Sequence, residues 1–420
     1  MTRLSRYALV LAAIVVMAVY APLLFDMAFG ERVKTTHLFY SPVIKKFVWR
    51  DKLLEMPDGA TEHHARYVQM DEDGNRYTRQ EFEKLLPFIY YRNMELWGLL
   101  PLELNGQNFD RETIKARRQV SEFKPEQIAG RSPQEQLLPL IESVPGNARL
   151  VFPEQRFRLG DELEFINADF NRRDPELTKT YTKALKRKGF VFPGRMAFSK
   201  PTILKPFDEG AFLVDAEGSV FHLKRVEGRP KAVKTPISPK SGVRSIRVSE
   251  NTRQEYYGLL LANDDTLHLI GYDGYKLTPL PLEHYDPDTM DFKMIVNPLY
   301  RTAVYSDDEI VRAVVMDPNY RPLARYEHVM PGAGKTFAER VFNTVTPFGL
   351  KLKDGTSGYL SPGFVFHGPS GFISIGLALT TYLVIARRKG HTTARTCADG
   401  GLVALTGMYG LVAVLLLPAD

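Results

Sequence analysis

The sequence predicts a membrane-anchored α+β protein, mainly β, with propeller-like or meander β-repeats in an exported domain and three transmembrane helices. Three observations carry that prediction. The chain closes on two apolar segments, Gly371–Ala386 and Gly400–Leu417, separated by a loop with Arg387, Arg388, Lys389 and Arg395. It opens on an apolar run from Tyr7 to Phe25 behind Arg3 and Arg6. Between them, residues 211–326 repeat a pattern of three short strands.

Each tail segment approaches the ~20 residues that a helix needs to cross a bilayer, and runs this apolar satisfy their backbone in lipid as helices. Lys and Arg beside membrane helices stay on the cytoplasmic side, so the basic loop at 387–395 orients the pair. The N-terminal run has two readings. As a signal peptide it would be cleaved after Ala28 and Gly30, before Glu31; as an anchor it would stay. Its 19 residues exceed a usual signal core and favour the anchor. Both readings export the chain beyond Gly30. The expected topology is three spans with the N-terminus inside and the C-terminus outside. On that topology residues 31–370 are expected to be extracytoplasmic.

Composition narrows the function classes. With 420 residues, 44% hydrophobic and 25% charged, the chain has material for two or three globular domains. Residues 31–370 hold 49 basic and 46 acidic side chains, a balance that describes a solvated surface and argues against nucleic acid as a partner. The single cysteine, Cys397, lies beside the last span, so the exported part has no disulfide and no thiolate.

Taken in order, Leu38–Tyr40 and Lys46–Trp49 read as strands. Asp71-Glu72-Asp73-Gly74-Asn75 suggests a calcium loop, but Arg76 stands where Gly is required and Phe82 where Glu is required. Hairpin-turn chemistry accounts for it better, with Thr78 and Glu81 spaced as a capping box for a helix over Arg79–Leu86. Phe88–Leu99 and Arg111–Val120 read as helical, and Ser132-Pro133-Gln134-Glu135 as another helix start. Leu150–Ile166 returns to strands, and Pro175–Lys188 reads as a cationic helix. Lys183, Lys186, Arg187 and Lys188 suit anionic headgroups, but cations gather at helix C-termini for local reasons.

The repeat aligns Phe212–Val233, Leu259–Leu282 and Thr302–Tyr326 at offsets of 47 and 43 residues. Short strands joined by Asp/Gly/Asn turns at that period are the mark of propeller blades. Arg149–Ile166 is a poorer fourth match, and three clear units fit an open array or packed meanders as well as a ring. The domains expected are a signal-anchor helix at 1–30, a mixed α/β segment at 31–148, the β-repeats at 149–340, a membrane-proximal linker at 341–370 and a helical hairpin at 371–418.

No residue set completes a catalytic site, a cofactor site or a metal site. His63-His64 are adjacent and point apart in regular structure, with Glu62 the only carboxylate at hand. Asp286, Asp288 and Asp291, with Asp307-Asp308 in the next repeat, could hold calcium or act as acid and base, although turns recruit aspartate unaided. Pro331–Thr336 imitates a phosphate loop but has Val329 where glycine is needed. Gly400, Ala404 and Gly407 share a helical face that permits close packing in lipid.

Phe221-His222-Leu223-Lys224, Gly228-Arg229-Pro230, Tyr256-Tyr257-Gly258 and Tyr272-Asp273-Gly274-Tyr275-Lys276 together resemble an uncharacterised bacterial family. Its members are membrane-anchored proteins with a large extracytoplasmic domain of unknown function, and the likeness runs from Tyr67 to the last spans. The resemblance transfers no catalytic residue. It implies an accessory place beside ABC-transporter components, with the bilayer and a permease or ATPase as partners. The expected function is a non-enzymatic accessory, sensor or scaffold subunit. Its rival is a ligand-binding protein or hydrolase built on the Asp-rich loops.

Overall fold

The computed structural model of the protein describes residues 3–29, 36–52, 67–331, 337–353 and 356–418. The chain divides into two compact units. One holds residues 36–51 and 67–329; the other holds the N-terminal helix and the chain from residue 330 onward.

The larger unit is built from antiparallel sheets laid down one after another. Sheet 1 contains β1 (Thr36–Ser41), β2 (Lys46–Lys52), β3 (Tyr67–Asp71) and β4 (Arg76–Tyr77). The acidic run between β3 and β4 is a hairpin turn. The Asp71 carboxylate accepts bonds from the amides of Asp73 and Asn75, the Asn75 side chain and the Tyr77 hydroxyl. Thr78 and Glu81 then form the capping box of α2 (Arg79–Leu85). The aromatic stretch after it yields α3 (Tyr91–Leu96), and a small hairpin, β5 (Leu102–Leu104) and β6 (Gln107–Phe109), comes next.

Two helix expectations fail here, each for a local reason. The helix expected over Arg111–Val120 stops at Ala116 as α4 (Arg111–Ala116), and Gln119–Phe123 becomes strand β7. Gln119, Ser121 and Phe123 face inward while Val120 and Glu122 face out, so a period of two wins over helix propensity. No helix begins at Ser132. The Ser132 hydroxyl is bonded to the Glu126 carbonyl instead of capping a new turn.

Sheet 2 comprises β8 (Leu138–Pro139), β9 (Gln155–Leu159), β10 (Leu163–Asn167) and β11 (Arg172–Asp174), which runs into α5 (Pro175–Arg187). Sheet 3 comprises β12 (Met196–Phe198), β13 (Ala211–Val214), β14 (Val220–Val226) and β15 (Arg229–Lys234). Sheet 4 comprises β16 (Val243–Val248), β17 (Tyr256–Ala262), β18 (Leu267–Gly271) and β19 (Leu277–Pro279). Sheet 5 comprises β20 (Asp291–Val296), β21 (Arg301–Ser306), β22 (Ile310–Met316) and β23 (Pro322–Val329), with β7 added beside β20. The three-strand repeats in the sequence are the second to fourth strands of sheets 3, 4 and 5, and the poorer match at 149–166 lies in sheet 2. The first strand of each sheet carries no comparable signal.

Adjacent sheets bury faces against each other. Phe157, Phe165 and Tyr181 of sheet 2 and α5 meet Leu213, Phe221 and Leu223 of sheet 3. The other face of sheet 3, with Phe212 and Val220, meets Ile246 and Leu260 of sheet 4. Leu259 and Leu269 of sheet 4 meet Met294 and Val314 of sheet 5. Tyr326 of sheet 5 stacks on Phe47 and Trp49 of sheet 1. The packing order is therefore 2-3-4-5-1. Among the described residues no propeller closure is found, and the sheets form a stack of blades.

The smaller unit contains α1 (Arg3–Phe29), α6 (Phe337–Val345), a hairpin of β24 (Phe348–Lys353) and β25 (Leu360–Phe366), α7 (Ser370–Arg388), α8 (Thr393–Thr406) and α9 (Met408–Leu416). Among the described residues two helices, α1 and α7, are long and apolar enough to cross a membrane. The third expected span is not one helix. The chain breaks at Gly407, whose φ of 60° and ψ of −131° suit glycine alone. It then folds back, because the Leu417 carbonyl returns to the guanidinium of Arg6, which also holds Asp399. Asp399 of α8 and Leu417 after α9 thus both lie beside the N-terminal end of α1, and the expected three transmembrane helices are not supported. Gly400 sits against Tyr382 of α7, the close packing that its small side anticipates.

Candidate functional site

Buried charge in the sheet unit concentrates where sheet 3 meets sheet 4. The loop before β13 carries Lys205, Asp208 and Glu209, and the end of β16 leads to Glu250. The Lys205 ammonium is fully buried and donates to Asp208 at 2.6 Å, to Glu250 at 2.7 Å and to the Lys200 carbonyl at 2.8 Å. The same Glu250 oxygen accepts the Glu209 amide at 2.8 Å. Its second oxygen is buried without a protein partner. Burial pushes the Asp208 and Glu250 carboxyls above the usual carboxylate range, against the pull of Lys205.

Glu209 is the hub of the second half. Its carboxylate accepts the Tyr272 hydroxyl at 2.7 Å and pairs with Lys224. Its carbonyl sits on Nε2 of His222, whose Nδ1 is 2.9 Å from the Tyr275 hydroxyl. A carbonyl only accepts, so Nε2 carries the proton and Nδ1 accepts from Tyr275. Burial pushes the imidazole down to about 4 and keeps it neutral. Gly210 makes this contact possible: at φ +75°, a Cβ there would fall 2.1 Å from the Leu223 carbonyl oxygen. Around the imidazole, Phe212 stacks at 4.4 Å, while Tyr257 stacks on Tyr272 at 3.9 Å and on Tyr275 at 5.0 Å.

A second carboxylate fastens sheet 4 to sheet 5. Glu255 accepts from Arg301 at 2.9 Å and from the Tyr320 hydroxyl at 2.5 Å, and pairs with Arg253. These contacts hold Glu255 below the usual range although burial opposes them. Chemically, both junctions are clamps. Each imidazole nitrogen of His222 is bonded, and Lys205, Lys224, Arg253 and Arg301 each have a carboxylate partner.

The aspartates singled out in the sequence are scattered among structural tasks. Asp286 accepts the Asp288 amide and the Thr289 hydroxyl. Asp288 pairs with Arg131 at 2.8 Å and with Arg244. Asp291 stands 4.0 Å from Lys124, and Asp307 caps its own turn through the amides of Glu309 and Ile310. Among the described residues no group of three or more His, Cys, Asp or Glu is placed to hold a metal ion. Glu62, His63, His64 and residues 332–336 lie outside the described residues. The cationic face of α5 borders an open groove of about 550 Å³ with Lys179, Lys183 and Arg187, and its Asp174 cap and terminal cations obey ordinary helix rules.

Sequence reasoning did not single out Glu209, Glu250 or Glu255, because none sits in a motif and their partners come from other sheets. In the smaller unit it also missed Asp399. That carboxylate is fully buried and takes both terminal nitrogens of Arg6, at 2.8 and 3.0 Å, with the Tyr7 hydroxyl at 3.1 Å and Arg395 at 3.5 Å.

The family model for the domain of unknown function DUF4857 matches residues 37–316, two thirds of the chain. The chain is a member of the DUF4857 family. That segment reaches into all five sheets, ending before β23, and contains the first clamp whole and the second apart from Tyr320. No curated protein matches the chain in sequence.

Proposed function

We propose that this DUF4857 protein is a membrane-anchored, non-enzymatic accessory or scaffold subunit of a membrane complex, with an ABC-type transporter as the partner class. In this reading α1 and α7 cross the bacterial inner membrane, Arg387, Arg388 and Lys389 stay in the cytoplasm, and the sheet unit is extracytoplasmic. The observation that carries the proposal is the construction of the anchor. Apolar α1 is built into a folded helical unit, with Val10, Ile14 and Ala18 packed on Ala378 and Tyr382, and with Arg6 committed to Asp399. A cleaved leader would strip that buried carboxylate of its bidentate partner and leave it the more distant Arg395. Support for a scaffold comes from the stacked sheets, whose buried charges serve the joints between blades. The rival, a ligand-binding protein or hydrolase using Asp286, Asp288 and Asp291, has weaker support because two of these carboxylates are committed to turn or arginine contacts.

The test is recovery of the full-length protein in mild detergent, after cross-linking in the membrane, with mass spectrometry of its companions. Stoichiometric recovery of an integral membrane partner, such as a permease with its ATPase, is the expected result. Recovery of the protein alone would overturn the proposal.

A further inference from the structure

The segment between the sheet unit and α7 is folded, and its outer surface carries large apolar side chains beside Arg340 and Lys351. On α6, Phe337, Val341 and Val345 fall at i, i+4 and i+8 and are 77%, 45% and 44% exposed. The opposite side of α6 is held in place: Phe342 stacks on Phe25 of α1 at 4.3 Å, and the Val345 carbonyl accepts the Ser374 hydroxyl. A helix facing water would reverse this arrangement and show its polar side outward. The hairpin behaves in the same way. Phe348 and Leu350 pack on the helical core, while their cross-strand partners Phe366 and Phe364 remain 48% and 64% exposed. Leu360, near the turn, is 83% exposed.

We propose that α6 and the β24–β25 hairpin form a collar lying in the headgroup–acyl boundary of the bilayer, with lipid covering its apolar face. The proposal rests on the membrane-anchored reading and adds a second, shallower contact to it. Continuity argues for lipid as the occupant. Gly349 approaches Pro22 of α1, and Phe366 meets Phe372 of α7 edge-on at 5.6 Å, so the collar adjoins the apolar surfaces of both long helices. Its position is also suitable. It adjoins the C-terminal end of α1 and the N-terminal end of α7, away from the basic residues Arg387–Lys389, and its phenylalanines fit an interfacial aromatic belt. The depth is set by the backbone. A two-stranded sheet has two open edges, which hydrocarbon does not tolerate but the hydrated boundary does. Exposed Lys351 in β24 can reach the headgroups from there.

Depth-dependent quenching in proteoliposomes of phosphatidylcholine and phosphatidylglycerol tests this. In a Cys397→Ser background, a fluorescent label is placed through Val16→Cys in α1, Val341→Cys, Phe364→Cys, or Val191→Cys in the sheet unit. All four positions are exposed, and the emission of Trp49 and Trp97 reports whether the sheet unit stays folded. The proposal expects labels at 341 and 364 to be quenched severalfold more by shallow than by deep spin-labelled lipid, with iodide nearly inert. The label at 16 should respond to deep lipid and the label at 191 to iodide alone. Lipid quenching at 16 with iodide quenching at 341 and 364 would overturn the collar and leave the anchor standing. Protection of 341 and 364 from both quenchers would overturn it in favour of a protein partner. Absence of lipid quenching at 16 would overturn the anchor itself, and the collar with it.

Discussion

His222 shows how a single side chain can be legible as a letter and illegible as a role. In the sequence it is one histidine in a strand; in the fold it joins the Glu209 carbonyl to the Tyr275 hydroxyl across a sheet junction. Its neutrality makes a measurable prediction. Folded, the imidazole titrates at about 4; unfolded, it titrates near 6.5. The unfolded chain therefore binds a proton that the folded chain refuses, and the stabilisation present above pH 6.5 is lost as pH falls towards 4. A shift of this size corresponds to about 3 kcal/mol. Asp208 and Glu250, raised by burial, act in the opposite sense, so the difference between wild type and His222→Gln isolates the imidazole. Thermal midpoints of the full chain in detergent should converge between the two proteins as pH falls from 7 to 4. A constant gap across that range would contradict the assignment. The Arg6–Asp399 pair gives a second prediction at this scale. Arg6→Met should destabilise the helical unit by up to about 3–5 kcal/mol, because it leaves buried Asp399 only the more distant Arg395, and Arg6→Met with Asp399→Leu should regain most of the loss. Protease susceptibility of α1 measures it; equal loss in the single and double variants would show that the pair is incidental.

Among the elements, those written in local chemistry could be read and those dictated by distant partners could not. The β3–β4 turn, the Thr78 cap and α5 with its Asp174 cap all depend on residues within a few positions of one another. The first strands of sheets 2 and 3 are only two and three residues long, that of sheet 4 carries a register shift, and β7 is recruited by β20 from far along the chain. Gly407 is an intermediate case. It is visible as a small residue in an apolar run, but its reversal of the chain depends on Arg6 drawing Leu417 back. Gly407→Val therefore tests the break: a Cβ there would meet Pro347 at 3.0 Å and the Ser374 hydroxyl at 3.1 Å, in a backbone region closed to valine. The expected cost is about 1–3 kcal/mol from the backbone alone, read from the thermal midpoint in detergent. Wild-type stability would mean that α8 and α9 run on as one helix. In the sheet stack, Phe221→Ala removes a fully buried ring between sheets 2 and 3 and should cost about 3–5 kcal/mol by chemical denaturation.

The whole molecule joins a repetitive sheet stack to a small helical unit, and the sequence announces both parts by periodicity: about 45 residues in one, long apolar runs in the other. It does not announce the open stack or the folded-back tail, since both are decided by contacts between segments hundreds of residues apart. The candidate clamps were illegible because their partners come from different sheets, 41 to 65 residues apart, with no motif to link them. The central claim is a retained anchor that places the sheet unit outside the cytoplasm and residue 397 inside it. Labelling of intact cells with a membrane-impermeant maleimide tests this most directly, using native Cys397, which is exposed in α8, and Phe170→Cys, which replaces a ring 74% exposed in the sheet unit. The account predicts that the cysteine at 170 reacts in intact cells and that Cys397 reacts only after lysis. Labelling of Cys397 from outside, or protection of the cysteine at 170, would contradict it.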